Sequence, residues 1–188
     1  MDGPAEARTF QEADRYIATR AGEALAAVDP TTVARILELF ARAPTIFVYG
    51  AGRSGIIGRA FAMRLVQAGL SAYVIGESVT PIVRRGDLVV IFSNRGESYS
   101  SIQTANIVRR EGADLVVVTS RPSSKLAHAA TVLVTLPIPD DPDRARYAPL
   151  GTVFEAASLR VADALIAAWI EVRGETEESM RRRHAIMV

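Results

Sequence analysis

IFVYG-AGRSG-IIGRAFAMRL, residues 46–65, is followed at residues 87–110 by DLVVIF-SNRGESYSS-IQTANIVRR. Both segments have the same design. An apolar run without polar alternation stops at Gly, Ser and Arg residues, and a helical pattern follows. Such a run reads as a parallel strand buried on both faces. A turn of small residues into a helix presents free backbone N–H groups and the positive end of the helix dipole, which suits a phosphate. Two such turns predict a site for a phosphorylated small molecule.

The alternation extends along the chain. Strands are expected at 46–49, 72–75, 88–92, 115–119 and 131–136, and helices at 56–67, 100–111, 123–129 and 151–172. This order predicts a parallel sheet with helices on both faces. Ligands then bind outside the carboxyl ends of the strands, where strand order reverses. The Gly50–Gly55 loop, the Ser93–Ser98 loop and the hydroxyl-rich Thr119–Ser124 stretch all fall at such ends.

Ahead of this core, residues 1–43 read as a helical extension. Tyr16, Ile17, Ala21, Leu25 and Ala26 recur at helical spacing. After Asp29-Pro30, Val33, Ile36, Leu37, Leu39 and Phe40 do so again. Pro137–Asp143 is polar and proline-rich and reads as an exposed loop without helix. The strongly apolar helix with Trp169 is expected to be buried in the core or between subunits. A short charged helix running to Arg183 and His184 closes the pattern.

Composition bounds the function. One α/β domain over residues 1–188 is the natural size, and 49% hydrophobic residues fill a sizeable core. A formal charge of +1 gives no sign of a nucleic-acid or acidic-membrane partner. The absence of Cys excludes disulfides and thiolate metal sites, and two His make a structural zinc site unexpected. The polar N-terminus does not read as a signal peptide, and no apolar run approaches the ~20 residues that span a bilayer. A cytoplasmic protein is the expectation.

Gly50-Ala51-Gly52-Arg53-Ser54-Gly55 also meets the G-x-G-x-x-G spacing of a dinucleotide site, with Glu77 near the place of a ribose-binding acid. Against that reading, Ser54 places a hydroxyl at the helix start, and Ser93, Ser98 and Ser100 repeat this chemistry. A dinucleotide site does not require the repeat. As phosphate-site candidates, Ser54, Ser93, Ser98 and Ser120 carry an alternative role, since a serine at a helix start is often only an N-cap. Glu155, in the first turn of the long helix, reads either as a dipole-stabilised surface residue or as a base in a cleft. His184 follows Arg181-Arg182-Arg183. His128 reads as a helix-surface residue.

The chain resembles the sugar isomerase (SIS) domain and, within that superfamily, the 6-phospho-3-hexuloisomerase family. The matching stretches are GAGRSG (50–55), AFAMRL (60–65), GESVTP (76–81), GDLVV (86–90), APLGTVFE (148–155) and RRHA (182–185). The resemblance implies a three-layer α/β/α sandwich on a five-stranded parallel sheet of flavodoxin-like topology. It implies dimers or tetramers with sites near subunit boundaries, and no metal or organic cofactor. The implied reaction interconverts D-arabino-hex-3-ulose 6-phosphate and D-fructose 6-phosphate, downstream of formaldehyde fixation in the ribulose monophosphate pathway. Glu155 and His184 become the acid/base candidates, not necessarily within one subunit's site. Gly52, Arg53, Ser54, Ser93, Arg95, Glu97, Ser98 and Ser120 become the substrate and phosphate contacts. The alternatives are a non-catalytic phosphosugar sensor and an isomerase of another sugar phosphate.

The chain departs from the family at one loop. Ser-Gly-Ser-Gly-Glu-Thr is replaced by Ser93-Asn94-Arg95-Gly96-Glu97-Ser98. Asn94 tolerates the left-handed backbone that glycine supplies. Arg95 is expected either to grip the phosphate or to fill the pocket. The family's closing Glu is missing, since the chain ends Ile186-Met187-Val188.

Overall fold

In a computed structural model, residues 5–185 are described. The terminal Ile186-Met187-Val188, on which the expectation about a closing Glu falls, lie outside these residues.

Five short apolar runs pair side by side. They are β1 (Ile46–Gly50), β2 (Ala72–Val74), β3 (Leu88–Phe92), β4 (Asp114–Thr119) and β5 (Val132–Thr135). All pairings are parallel, in the order β2-β1-β3-β4-β5. A parallel sheet must be covered on both faces, which is why β3, all five residues buried, shows no polar alternation.

One face packs Val48, Val90, Phe92 and Val116 beneath α1 (Ala5–Ala26), α2 (Pro30–Arg42), α3 (Arg53–Gln67) and α7 (Thr152–Arg173). The other packs Phe47, Val89, Ile91 and Leu115 beneath α4 (Tyr99–Glu111) and the short α5 (Lys125–His128). The expected three-layer sandwich is therefore what the chain forms. α7 is the central helix of its layer, contacting α1, α2 and α3. Trp169 near its end donates Nε1–H to the Ala68 carbonyl at 3.3 Å and meets Phe40 edge-on. α8 (Glu177–Arg182) follows, and Arg183 fastens it by donating Nε to the Gln67 carbonyl at 2.9 Å.

The proline-rich segment differs from expectation. Pro142–Tyr147 forms a short helix, α6. Pro142 stands in the first turn, where a missing N–H costs nothing, and Asp141 caps the helix through the Arg144 amide. α3 also begins three residues earlier than its apolar pattern, directly at Arg53. Its N-cap Gly52 has φ 57° and ψ −132°, a conformation open to glycine and strained for other residues.

The centre of β3 is the least forgiving place in this packing. Ile91→Ala is expected to lower unfolding stability by about 2–5 kcal/mol. Urea denaturation with an unchanged slope and a lowered midpoint checks this.

Candidate active site

Strand order reverses between β1 and β3, and the loops after these two strands lie side by side. Gly55 lets the first loop close. A Cβ there would stand 2.5 Å from the Gly50 carbonyl oxygen, so only glycine lets α3 begin so near the strand. The second loop is fixed from β4. The Asn94 carbonyl accepts from the Ser120 amide (2.9 Å), the Ser120 hydroxyl (2.9 Å) and the Thr119 hydroxyl (2.8 Å).

Two adjoining chambers result, with Asn94 and Arg95 lining both. The smaller, about 320 Å³, is lined by Ala51, Ser54, Ser93, Glu97 and Ser98. The Ser54 and Ser93 side chains make no hydrogen bond within the described residues, although both residues are buried. Ser98 occupies the N-cap of α4 but makes no capping bond; its hydroxyl meets that of Ser100 at 3.0 Å. The hydroxyls are thus not spent on caps. They face a space that the N-termini of α3 and α4 also address, a setting suited to a phosphate. Glu97 is exposed at this chamber's edge.

The larger chamber, about 460 Å³, is lined by Glu155, Gly151, Ser120, Arg121, Ile138 and Leu150 among others. The Glu155 side chain is only 11% exposed. It folds back over the helix start, with Oε1 2.9 Å from where a Gly151 Cβ would be. Arg53 Nη2 stands 2.7 Å from Oε2. Its approach is off-axis, so Oε2 is buried without an aligned hydrogen bond. Arg53 belongs to the first loop and Glu155 to α7, so this ion pair joins the hydroxyl chamber to the carboxylate chamber.

The structure therefore brings Gly52, Arg53, Ser54, Ser93, Arg95, Glu97, Ser98 and Glu155 to one end of the sheet. Ser120 joins them as a support, its hydroxyl engaged with Asn94 at both the carbonyl and Oδ1 (2.8 Å). Asn94 is not left-handed; Gly96, at φ 64°, carries that conformation. His184 lies elsewhere. It is exposed beside Arg64, Gln67, Ile170 and Met180, at the far end of α7. Glu155 and Ile170 are fifteen residues apart on α7, roughly 20 Å at 1.5 Å per residue. Glu77 pairs with Arg59 at 2.9 Å, and Thr80 donates to the Val74 carbonyl; neither lines a chamber. His128 Nδ1 meets the Ser124 carbonyl at 2.8 Å.

Sequence reading missed the wall opposite Glu155. Segment 138–151 forms it, and α1 holds it there. The Tyr16 hydroxyl donates to both Asp141 oxygens (2.9 and 3.1 Å), and Arg20 Nη2 to Oδ2 (3.1 Å). The Tyr147 hydroxyl donates to Glu12 at 2.9 Å, and the Tyr16 and Tyr147 rings lie 6.0 Å apart. Burial raises the Tyr16 hydroxyl above its ordinary value, and its bond to Asp141 adds to this. Burial pushes Asp141 up too. The bonds from Tyr16 and the Arg144 amide, with the Arg20 charge, outweigh it and hold the carboxyl below the usual range. At the mouth, Leu150 is 85% exposed with φ 61°, the sole non-glycine positive φ among the described residues. Tyr16 and Tyr147 could have flagged this contact, but the separation of 125 positions between Tyr16 and Asp141 hides it from any local pattern.

Among the described residues no cluster of acids or His is arranged to hold a metal ion. None of their helices is long and apolar enough to cross a membrane.

A switch point lined by uncommitted hydroxyls thus lies beside a buried carboxylate. The SIS domain model matches residues 39–164, and the chain belongs to the SIS domain family. It is 36% identical to the 3-hexulose-6-phosphate isomerase of Methylomonas aminofaciens over 153 residues, 80% of this chain and 84% of that one. To the 3-hexulose-6-phosphate isomerase of Bacillus subtilis it is 37% identical over 144 residues, 74% and 78% of the two chains. A Methanococcus jannaschii crystal structure, for which 3-hexulose-6-phosphate isomerase function was inferred, superposes with a TM-score of 0.78. It is 26% identical and covers 84% of this chain and 86% of its own.

Since the folded-state carboxyl of Asp141 titrates below its unfolded value, its stabilisation is full above the ordinary 3.8. It is lost as pH falls through the folded value. Asp141→Asn should flatten this acid limb of stability. Thermal unfolding from pH 6 down to 2.5 reads it out.

Proposed function

We propose that the protein is a phosphosugar isomerase that interconverts D-arabino-hex-3-ulose 6-phosphate and D-fructose 6-phosphate. The observation that carries this reading is the buried Glu155 carboxylate held beside a chamber of uncommitted hydroxyls. The named relatives support the same substrate.

The 6-phosphate sits in the smaller chamber. Ser54, Ser93 and Ser98, the amides of Gly52 and its neighbours, and the helix starts hold it there. Arg95 grips it from the partition, and Ser120 keeps that partition in place through Asn94. Glu97 borders the phosphate and the sugar hydroxyls. The carbon chain then extends past Arg53 into the larger chamber.

Isomerisation moves a carbonyl from C3 to C2. Glu155 removes the C2 proton of the hexulose phosphate, and the electron pair forms the 2,3-enediolate. The proton is returned at C3. The O2 proton passes to O3, which completes the exchange. Arg53, already beside Glu155, stabilises the negative charge that develops on the oxygens. His184 moves the oxygen-bound proton from a second copy of the chain, since within one protomer it lies at the far end of α7. The active form is accordingly a homo-oligomer, a tetramer in our reading, working in the cytoplasm. There it consumes the product of formaldehyde fixation in the ribulose monophosphate pathway.

A coupled assay for fructose 6-phosphate, fed with enzymatically made hexulose phosphate and no added metal, tests the proposal. Absence of turnover with phosphosugar binding intact would replace it with a sensor. Glu155→Gln should keep binding and lose turnover by about 10²-fold or more. Arg95→Ser should weaken fructose 6-phosphate binding by about tenfold, as expected for a lost charge-assisted contact. Calorimetry on each variant separates binding from chemistry.

A further inference from the structure

We propose that the Glu155 chamber carries a second anion subsite at Arg121, beside Arg95 on the partition, which admits a ketose phosphorylated at both ends as a competing ligand. The subsite rests on the isomerase reading above, in that a sugar phosphate already occupies the hydroxyl chamber.

Four arginines bear on the larger chamber, and their charges are not equally committed. Arg53 is paired with Glu155. Arg144 donates Nε and Nη2 to Asp140 (3.2 and 3.0 Å) and reaches the Leu150 carbonyl with Nη1 (3.5 Å). Arg95 and Arg121 have nothing comparable. Neither guanidinium makes a hydrogen bond, ion pair or ring contact among the described residues. Both side chains are exposed on a concave wall, one from the loop after β3 and one from the loop after β4.

Their backbones are not free to drift apart. The Asn94 carbonyl next to Arg95 accepts from Ser120, next to Arg121, and the Arg121 amide donates to the Thr119 hydroxyl at 3.2 Å. Arg121, a cation without a partner among the described residues, is therefore held on a loop linked to that of Arg95, and the two face one cavity while Arg95 serves the 6-phosphate. Like charges so placed repel one another and draw in an anion, and a low-dielectric concave wall strengthens the field. The hydroxymethyl and carbonyl end of a ketose monophosphate offers Arg121 only neutral oxygens. A phosphate there offers its guanidinium a charge-assisted, two-point contact.

A ketose bisphosphate fills both subsites at once. Such a compound arises when a phosphoryl transfer to the free primary hydroxyl consumes the ketose 6-phosphate product. Its accumulation would then hold back the isomerisation that supplies it.

Fructose 1,6-bisphosphate and fructose 6-phosphate are the probes, titrated calorimetrically into the wild-type chain and into Arg121→Gln. The bisphosphate is expected to bind about tenfold or more tightly than the monophosphate, the scale of one added charge-assisted phosphate contact. Arg121→Gln should erase this advantage and leave monophosphate affinity and isomerase turnover unchanged. Equal affinities in the wild type, or an advantage that survives Arg121→Gln, would overturn the subsite. Thermal unfolding confirms that the variant folds. A bisphosphate advantage lost in Arg121→Gln, in a protein without isomerase turnover, would keep the subsite and remove the isomerase reading alone.

Discussion

The pairing of β1 with β3 governs the rest of the site. Its register sets Gly50 opposite Phe92, so both strands end at one level and their loops leave the sheet together. Strand order reverses at this pair, which opens a crevice that a regular progression of crossovers would have covered. The apolar runs of β1 and β3 were selected for burial on two faces. The placement of two hydroxyl-bearing loops beside each other follows from that burial. Had the register slipped by one residue, Ser93 would no longer stand level with the α3 start.

Charge is distributed in the same economy. The buried carboxylate of Glu155 lies in a low-dielectric position, where an unpaired charge costs several kcal/mol, on the order of the penalty for any buried ion. Arg53 meets that cost from the start of α3, after the β1 loop. Its side chain is 59% exposed, so it keeps access to solvent and to an incoming anion. One side chain thus connects the loop after β1 to the helix that carries Glu155. The opposite wall is stabilised separately, by α1 acting on Asp141 through Tyr16 and Arg20.

The sheet, the two loops and the carboxylate were legible in the sequence because each is written locally. Apolar runs give strands, Gly and Ser turns give helix starts, and APLGTVFE places Glu155 on a first turn. What was not legible depends on long-range contact. The Pro142–Tyr147 helix looks like a loop by composition, and it exists because Asp141 caps it while α1 braces it. Ser120 reads as a phosphate contact from its place after β4, yet its hydroxyl is turned toward Asn94, a residue 26 positions away. His184 reads as a partner of Glu155, and one protomer sets the two at opposite ends of α7. No periodicity or motif encodes whether a second copy closes that gap.

The departure at Asn94 and Arg95 falls at neither the hydroxyls nor the base. It falls on the partition that both chambers share. In the proposed reading, a change in Ser54 or Ser93 alters how the phosphate is held, and a change in Glu155 alters the chemistry. A change in the partition alters the passage between them. Replacing a Gly-Ser pair by Asn and Arg adds bulk and one positive charge there, while the turn itself survives through Gly96. In the proposed reading, the hydroxyls and Glu155 stay constant while the partition sets which sugar phosphate can span the two chambers.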